Sequence, residues 1–153
     1  MLNTVLIDSG PLIALFDKDD YYHERIKSFI KNTSYKFITT SAVLTETAHM
    51  LDFSVQAQIS FFEWVLNEGV VLIDITQVEL SRIIELTRKY HDRPMDYADA
   101  TLVVIAERIG IRKIISIDSD FDIYRLAEKE PIENILKSNL LTNSSILLQG
   151  AKG

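Results

Sequence analysis

An α/β fold built on a mainly parallel sheet is the class that the sequence predicts. Short apolar, partly β-branched runs recur along the chain, each nearly continuous rather than alternating, as expected of strands covered on both faces. Longer amphipathic stretches separate them, and strands alternating with helices imply parallel crossover connections. No internal repeat or low-complexity segment interrupts the series.

The elements follow in order. Thr4–Ile7 reads as a buried strand that stops at Asp8-Ser-Gly-Pro11, a turn, after which a short helix fits Pro11–Phe16. Tyr21–Lys31 carries Tyr22, Ile26, Phe29 and Ile30 on one helical stripe, and Lys36–Thr39 is a second strand. A hydroxyl at Thr40 or Ser41 caps a helix running to Leu51. Val55–Leu66 is another amphipathic helix stopped by Gly69, Val70–Ile73 a third buried strand, and Val78–Tyr90 a further helix. Arg93-Pro94 breaks the chain before a long helix, Met95–Ile109, which Gly110 ends. Lys113–Ile117 is the fourth strand, and Pro131–Leu136 offers a short edge strand. One domain is expected over residues 1–136. The tail 137–153 is polar apart from Ile146-Leu-Leu148 and is expected to fray or pack on a neighbour.

The chain's 153 residues, 47% hydrophobic and 25% charged, suit one globular domain with a sizeable core. Its apolar stretches fall far short of the roughly 18 residues of a membrane span, and no basic, signal-like start is evident, so a cytoplasmic protein is expected. The absence of cysteine excludes disulfides, thiolate metal sites and thiol nucleophiles together. A net charge of -6 argues against a broad basic surface for nucleic acid. It leaves room for a site where cations reverse the local charge.

Acidic residues fall where this architecture gathers ligands. Asp8 and Asp118 follow the first and fourth strands, and ligands of open α/β sheets collect beyond the carboxyl ends of strands. Glu46 lies in line with Val43 and Met50, and Asp99 in line with Val103 and Ala106, each interrupting an apolar helix face. Asp96 stands one turn before Asp99 on the same side. A carboxylate turned toward a core costs several kcal/mol unless paired, and no Lys or Arg stands at helical spacing on either stripe. Two like charges about 4 Å apart repel by roughly 4 kcal/mol at an effective dielectric of 20. A bound cation is the simplest compensation, and without it some of these acids should be protonated at raised pKa. Singly, Asp8 or Asp118 could merely start a turn, and Glu46 could merely favour its helix terminus. Jointly, the four point to a divalent-metal site, and oxygen ligands without Cys or a well-placed His select Mg²⁺ or Mn²⁺ over Zn²⁺.

The same residues carry a family resemblance. Ile7-Asp8-Ser9, Thr40-Ser41-Ala-Val43-Leu-Thr-Glu46, Tyr97-Ala98-Asp99-Ala100-Thr-Leu102 and Ser116-Ile-Asp118-Ser-Asp120-Phe121 resemble, in order and spacing, PIN-domain ribonucleases, above all the VapC-type toxins of bacterial toxin–antitoxin pairs. The likeness spans Met1 to about Pro131 and leaves the tail uncovered. It implies a three-layer α/β/α sandwich and Mg²⁺- or Mn²⁺-dependent endonucleolytic cleavage of RNA by metal-activated water. By family position Asp8, Glu46, Asp99 and Asp118 are the catalytic metal-binding quartet, with Asp120 a frequent additional acid. The hydroxyls of Ser9 and of Thr40 or Ser41 would orient ligands. Asp96 occupies a position usually held by a small polar residue, and with Asp120 it is carried as a further candidate ligand. The resemblance also implies a homodimer and an antitoxin protein that places a basic side chain in the acidic pocket. The second reading is a PIN-like module that binds RNA or protein without cutting. Arg93 and Arg112-Lys113 are the basic candidates for RNA phosphates, whereas Trp64, Tyr21 and Tyr22 are read as packing residues and the three histidines receive no role.

Overall fold

Five strands form one sheet in the computed structural model, which describes residues 3–93 and 95–137. They are β1 (Thr4–Ile7), β2 (Lys36–Thr39), β3 (Val71–Leu72), β4 (Lys113–Ile115) and β5 (Glu133–Asn134), in the spatial order β3-β2-β1-β4-β5. Every pairing is parallel, which sharpens the expectation of a mainly parallel sheet. All four residues of β1 are buried. Successive side chains of a strand point to opposite faces, so both faces of the sheet must be covered. The helices that cover them are α1 (Ser9–Phe16), α2 (His23–Asn32), α3 (Ser41–Met50), α4 (Val55–Leu66), α5 (Leu80–Lys89), α6 (Tyr97–Ile109) and the single turn α7 (Asp120–Ile123). The result is an α/β/α sandwich whose core joins Leu6, Ile7, Leu12, Phe61, Leu102, Ile105 and Ile114 in one cluster.

Local chemistry explains the boundaries. The expected turn after β1 does not exist, because Asp8 caps α1 directly, its carboxylate accepting from the Ser9 N–H. Pro11 then falls in the first turn of the helix, where a missing N–H leaves no bond unmade. Thr40 caps α3, its hydroxyl accepting from the Val43 N–H, and Asp96 caps α6 by accepting from the Asp99 N–H at 2.7 Å. At the other end of α6 the chain turns at Gly110, whose φ of 74° is left-handed and favours glycine. Helix α6 is buried from Ala98 to Ala106, so it runs through the core rather than along its surface.

Strand β3 differs from expectation. It pairs over two residues only, and Leu72 is exposed. As the edge of the sheet it has one neighbour, β2, so Val70 is fully in the core while the paired Val71 is only partly buried against it. The expected edge strand within Pro131–Leu136 is β5. Pro94 and the Ile146-Leu-Leu148 segment of the tail lie outside the described residues.

The turn after α4 is set by packing. A Cβ added to Gly69 would lie 2.2 Å from the indole of Trp64, which also packs on Phe16 with ring centroids 5.6 Å apart. Gly69→Ala should therefore destabilise the fold by about 1–3 kcal/mol, measured by urea denaturation, because the ring cannot withdraw without losing its contact with Phe16. Trp64 is thus a packing residue.

Candidate functional site

Because the strands are all parallel, their carboxyl ends share one edge of the sheet. Asp8 follows β1 there and is 4% exposed. One carboxylate oxygen accepts from the Ser9 N–H at 2.8 Å and the other from the Ser116 hydroxyl at 3.1 Å. Ser116 is itself held by the buried Asn134 of β5, whose side-chain amide donates to the Ser116 carbonyl and accepts from its N–H. Asn134 extends the sheet by one side chain beyond the β4·β5 pairing and so fixes the serine that orients Asp8.

Asp99, in the first turn of α6, is 8% exposed and accepts from the Tyr124 hydroxyl at 2.9 Å. Burial and the Asp99 charge raise the Tyr124 pKa, so the phenol remains a donor. Glu46 on α3 is half-buried and faces the Ser9 hydroxyl, which stabilises its charge. The apolar stripe assigned to it is incomplete, since Met50 is exposed where α3 runs off the core. Asp118 lies three residues beyond the end of β4, on an exposed bend. Its carboxylate folds back to accept from the Asp120 N–H at 3.0 Å, with the Ser116 hydroxyl at 3.5 Å. Asp96 and Asp120 are exposed at the rim, the first as the cap of α6 and the second opening α7.

Electrostatics binds these acids into one cluster. Burial, then the charges of Asp118 and Glu46, push the Asp8 pKa up to about 7 against the opposing Ser9 and Ser116 hydrogen bonds. Burial, then the charges of Asp8 and Asp96, push Asp99 up to about 8. Glu46 is raised by burial and by the Asp96 and Asp118 charges, and Asp120 by partial desolvation and the same two aspartates. Among the described residues no Lys or Arg forms an ion pair with any of the six. Nor, among the described residues, are three acidic or histidine side chains drawn tightly about one ion-sized point. Like charges repel one another across the cluster, while the Ser116 hydroxyl lies between Asp8 and Asp118 and the Tyr124 hydroxyl holds Asp99. In donor chemistry the set fits a hard divalent cation: oxygen ligands only, the inner two, Asp8 and Asp99, buried, and no Lys or Arg paired with any of them among the described residues.

The hydroxyl residues divide. Ser9 faces Glu46, whereas the Thr40 hydroxyl is consumed within the protein by Val43 N–H and by Thr101 at 2.8 Å. Ser41 turns away from the acids, its N–H and hydroxyl donating to the two carboxylate oxygens of Asp74 at 2.7 and 2.6 Å. Arg112 and Lys113 stand at the amino end of β4, opposite the acidic edge, where Arg112 pairs with Glu130 and Lys113 lies over the Tyr35 ring. Their placement at a strand start puts them out of reach of the cluster.

Tyr124, Asn134 and Asp74 were missed by sequence reasoning. Asp74 had a signal, since it follows the apolar run Val70–Ile73 as Asp8 follows Thr4–Ile7. Tyr124 and Asn134 had none, because they meet Asp99 and Ser116 only through the fold.

Comparison with known proteins agrees with this architecture. A family model for the PIN domain matches residues 5–128. Ribonuclease VapC26 of Mycobacterium tuberculosis is 23% identical over 116 residues, covering 74% of this chain and 86% of that protein. The crystal structure of Mycobacterium tuberculosis VapC20, a sarcin-ricin loop cleaving toxin, is similar with a TM-score of 0.72 and 21% identity, over 83% of this chain and 99% of that one. VapBC2 from Rickettsia felis, bound to a DNA fragment from its promoter, is similar with a TM-score of 0.59 and 15% identity, over 86% and 98%. At these identities the structural likenesses speak for the fold alone.

Proposed function

The chain belongs to the PIN domain family, and from that premise we propose that it is a divalent-metal-dependent endoribonuclease of the VapC toxin type. The observation that carries this reading is the carboxylate cluster at the carboxyl edge of the sheet, without a Lys or Arg partner among the described residues, whose buried members Asp8 and Asp99 are held well above the ordinary carboxylate range. In this reading residues 1–136 form the nuclease domain, Asp8, Glu46, Asp99 and Asp118 hold Mg²⁺ or Mn²⁺, and Asp96 and Asp120 line the rim. The bound cation would supply the charge that acidifies a water and shields the scissile phosphate. The chain's residues supply position. Ser9 and Ser116 fix both oxygens of Asp8, and Tyr124 fixes one oxygen of Asp99, the other having no hydrogen bond among the described residues. No side-chain nucleophile is required, and the acids are the groups able to accept the proton of an attacking water.

Tyr124→Phe tests the supporting shell. With its hydroxyl gone Asp99 loses a donor that stabilises its charge, and Mn²⁺ affinity measured by calorimetry should fall about ten- to a hundredfold with the fold unchanged.

The partner in this reading is an antitoxin protein whose basic side chain enters the acidic cluster. Two features of the surface support a protein partner. Helix α4 exposes Val55, Ile59, Phe62 and Leu66, a single stripe at helical spacing. Beside it, between α4 and the α1–α2 pair, runs a groove of about 880 Å³ lined by Phe16, Ile30, Phe53 and Trp64. No helix among the described residues is long and apolar enough to cross a membrane, and a cytoplasmic RNA target suits the cysteine-free chain.

The experiment is cleavage of RNA in the presence of Mn²⁺ by the wild type and by Asp8→Asn. Metal-dependent cleavage that the substitution removes is the expected result, and equal cleavage by both proteins would refute the assignment.

A further inference from the structure

The acidic edge continues past the cluster. Two strands along, where β2 and β3 end, lies a cleft of about 400 Å³ bounded by Thr40, Ser41, Thr45, Asp74, Tyr97 and Thr101. That volume is within the range of small-molecule sites, and adjacent strands are roughly 5 Å apart, so the cleft lies within a neighbouring nucleotide's reach of Asp8. Its contents are unlike those of the cluster. Tyr97, the first residue of α6, is 54% exposed, so one face of its ring is open to a ligand in the cleft. Its hydroxyl has no partner among the described residues, and Ile75 and Ala42 give the cleft an apolar wall.

Asp74, exposed on the same cleft, is held by hydrogen bonds at both its side chain and its backbone. Ser41 donates to both of its oxygens, and Arg108 donates to its backbone carbonyl at 2.6 Å while pairing with Glu79. A carboxylate has about four lone-pair sites, so each Asp74 oxygen can still accept one more bond. A fixed negative charge repels phosphate, and it favours a group that presents two neighbouring N–H donors. Among the four RNA bases only guanine does so, through its N1–H and N2–H₂ groups. Unpaired bases in single-stranded RNA are read in this way, stacked on an aromatic ring and hydrogen-bonded along the Watson–Crick edge.

We propose that the cleft between Tyr97 and Asp74 is a guanine-binding subsite, with the base stacked on Tyr97 and its donor edge on Asp74, beside the scissile phosphate at the acid cluster. The inference rests on the reading of the protein as an RNA-acting enzyme. It adds a base preference that the acid cluster alone could not create.

The test is equilibrium binding of short labelled oligouridylates that carry a single guanine, adenine or cytosine in the middle, in Ca²⁺ so that affinity is read apart from cleavage. The guanine oligonucleotide should bind roughly 5- to 100-fold tighter than the others. Asp74→Asn, which replaces one accepting oxygen with a donor, should erase that preference. Tyr97→Ala should weaken every oligonucleotide by roughly 5- to 100-fold, and Tyr97→Phe, which keeps the stacking face, should retain wild-type affinity. Equal affinity for the four bases, no binding of any of them, a guanine preference that survives Asp74→Asn, or unchanged affinity in Tyr97→Ala would overturn the proposal. Guanine-selective binding without cleavage would leave the subsite standing and refute the enzymatic reading. Metal-dependent cleavage without base preference would do the reverse.

Discussion

Asp8→Asn should lower RNA cleavage by about a thousandfold or more and, in the absence of metal, make the protein more stable at neutral pH. The first effect follows from the place of Asp8 at the centre of the cluster, in contact with Ser9 and Ser116 and within the field of Asp118, Glu46 and Asp99. A cation-held transition state is worth several kcal/mol, and each 1.4 kcal/mol is a factor of ten in rate. The second effect has the opposite sign because a buried carboxylate without a cation is a liability. Asparagine keeps the shape and one acceptor but removes the charge. A residue that merely capped α1 would show neither pattern, since asparagine caps a helix about as well as aspartate and the substitution would leave both stability and any activity nearly unchanged.

The stability of the metal-free protein should fall as pH rises from about 4 to about 8, and Mn²⁺ should abolish most of that fall. Asp8 has its folded pKa near 7 and Asp99 near 8, both above the ordinary value of 3.8. Below pH 4 these groups are protonated whether folded or unfolded and contribute no pH dependence. Above it the unfolded chain releases their protons while the folded protein retains them, so the unfolded state gains until the folded pKa is passed. For the 4% exposed Asp8 the loss is of the order of 3–5 kcal/mol, a large part of the roughly 5–15 kcal/mol that holds a domain together. Thermal melts across this range, with and without Mn²⁺, measure it directly. A flat profile without metal would mean that the carboxylates are compensated by something other than a cation.

The sheet and its helices were legible in the sequence because their signals are local. Thr4–Ile7 and Lys36–Thr39 are strands end to end as expected, and Thr40 and Gly110 cap the helices they flank. Misreadings arose where position in the sheet decides. Val70–Ile73 has the composition of a buried strand, yet at the edge it pairs over two residues and leaves Leu72 in solvent. Asp8-Ser-Gly-Pro11 has the composition of a turn, yet the Asp8 carboxylate and the tolerance of a first helical turn for proline start a helix there.

The acids of the candidate site could be read because burial of a charge is an anomaly visible in a helical stripe or at a strand end. Their supports could not. Ser116 lies 108 residues from the Asp8 it orients, and Tyr124 lies 25 residues from Asp99, so no periodicity connects them. Asp74 was legible in principle, but without the parallel sheet there was no reason to set it beside Tyr97. Two of the three basic residues expected to meet RNA are misplaced for the same reason, since Arg112 and Lys113 adjoin β4 in sequence but stand at its far end in space.

The central claim is that the carboxylate cluster takes up a divalent cation, and calorimetric titration of Mn²⁺ into the metal-free protein, repeated at pH 7 in buffers of different ionisation enthalpy, tests it most directly. With Asp8 and Asp99 partly protonated at that pH, binding should release protons to the buffer, release less at pH 9, and be lost in Asp99→Asn. Absence of Mn²⁺ uptake, or uptake that neither releases protons nor responds to Asp99→Asn, would contradict the account.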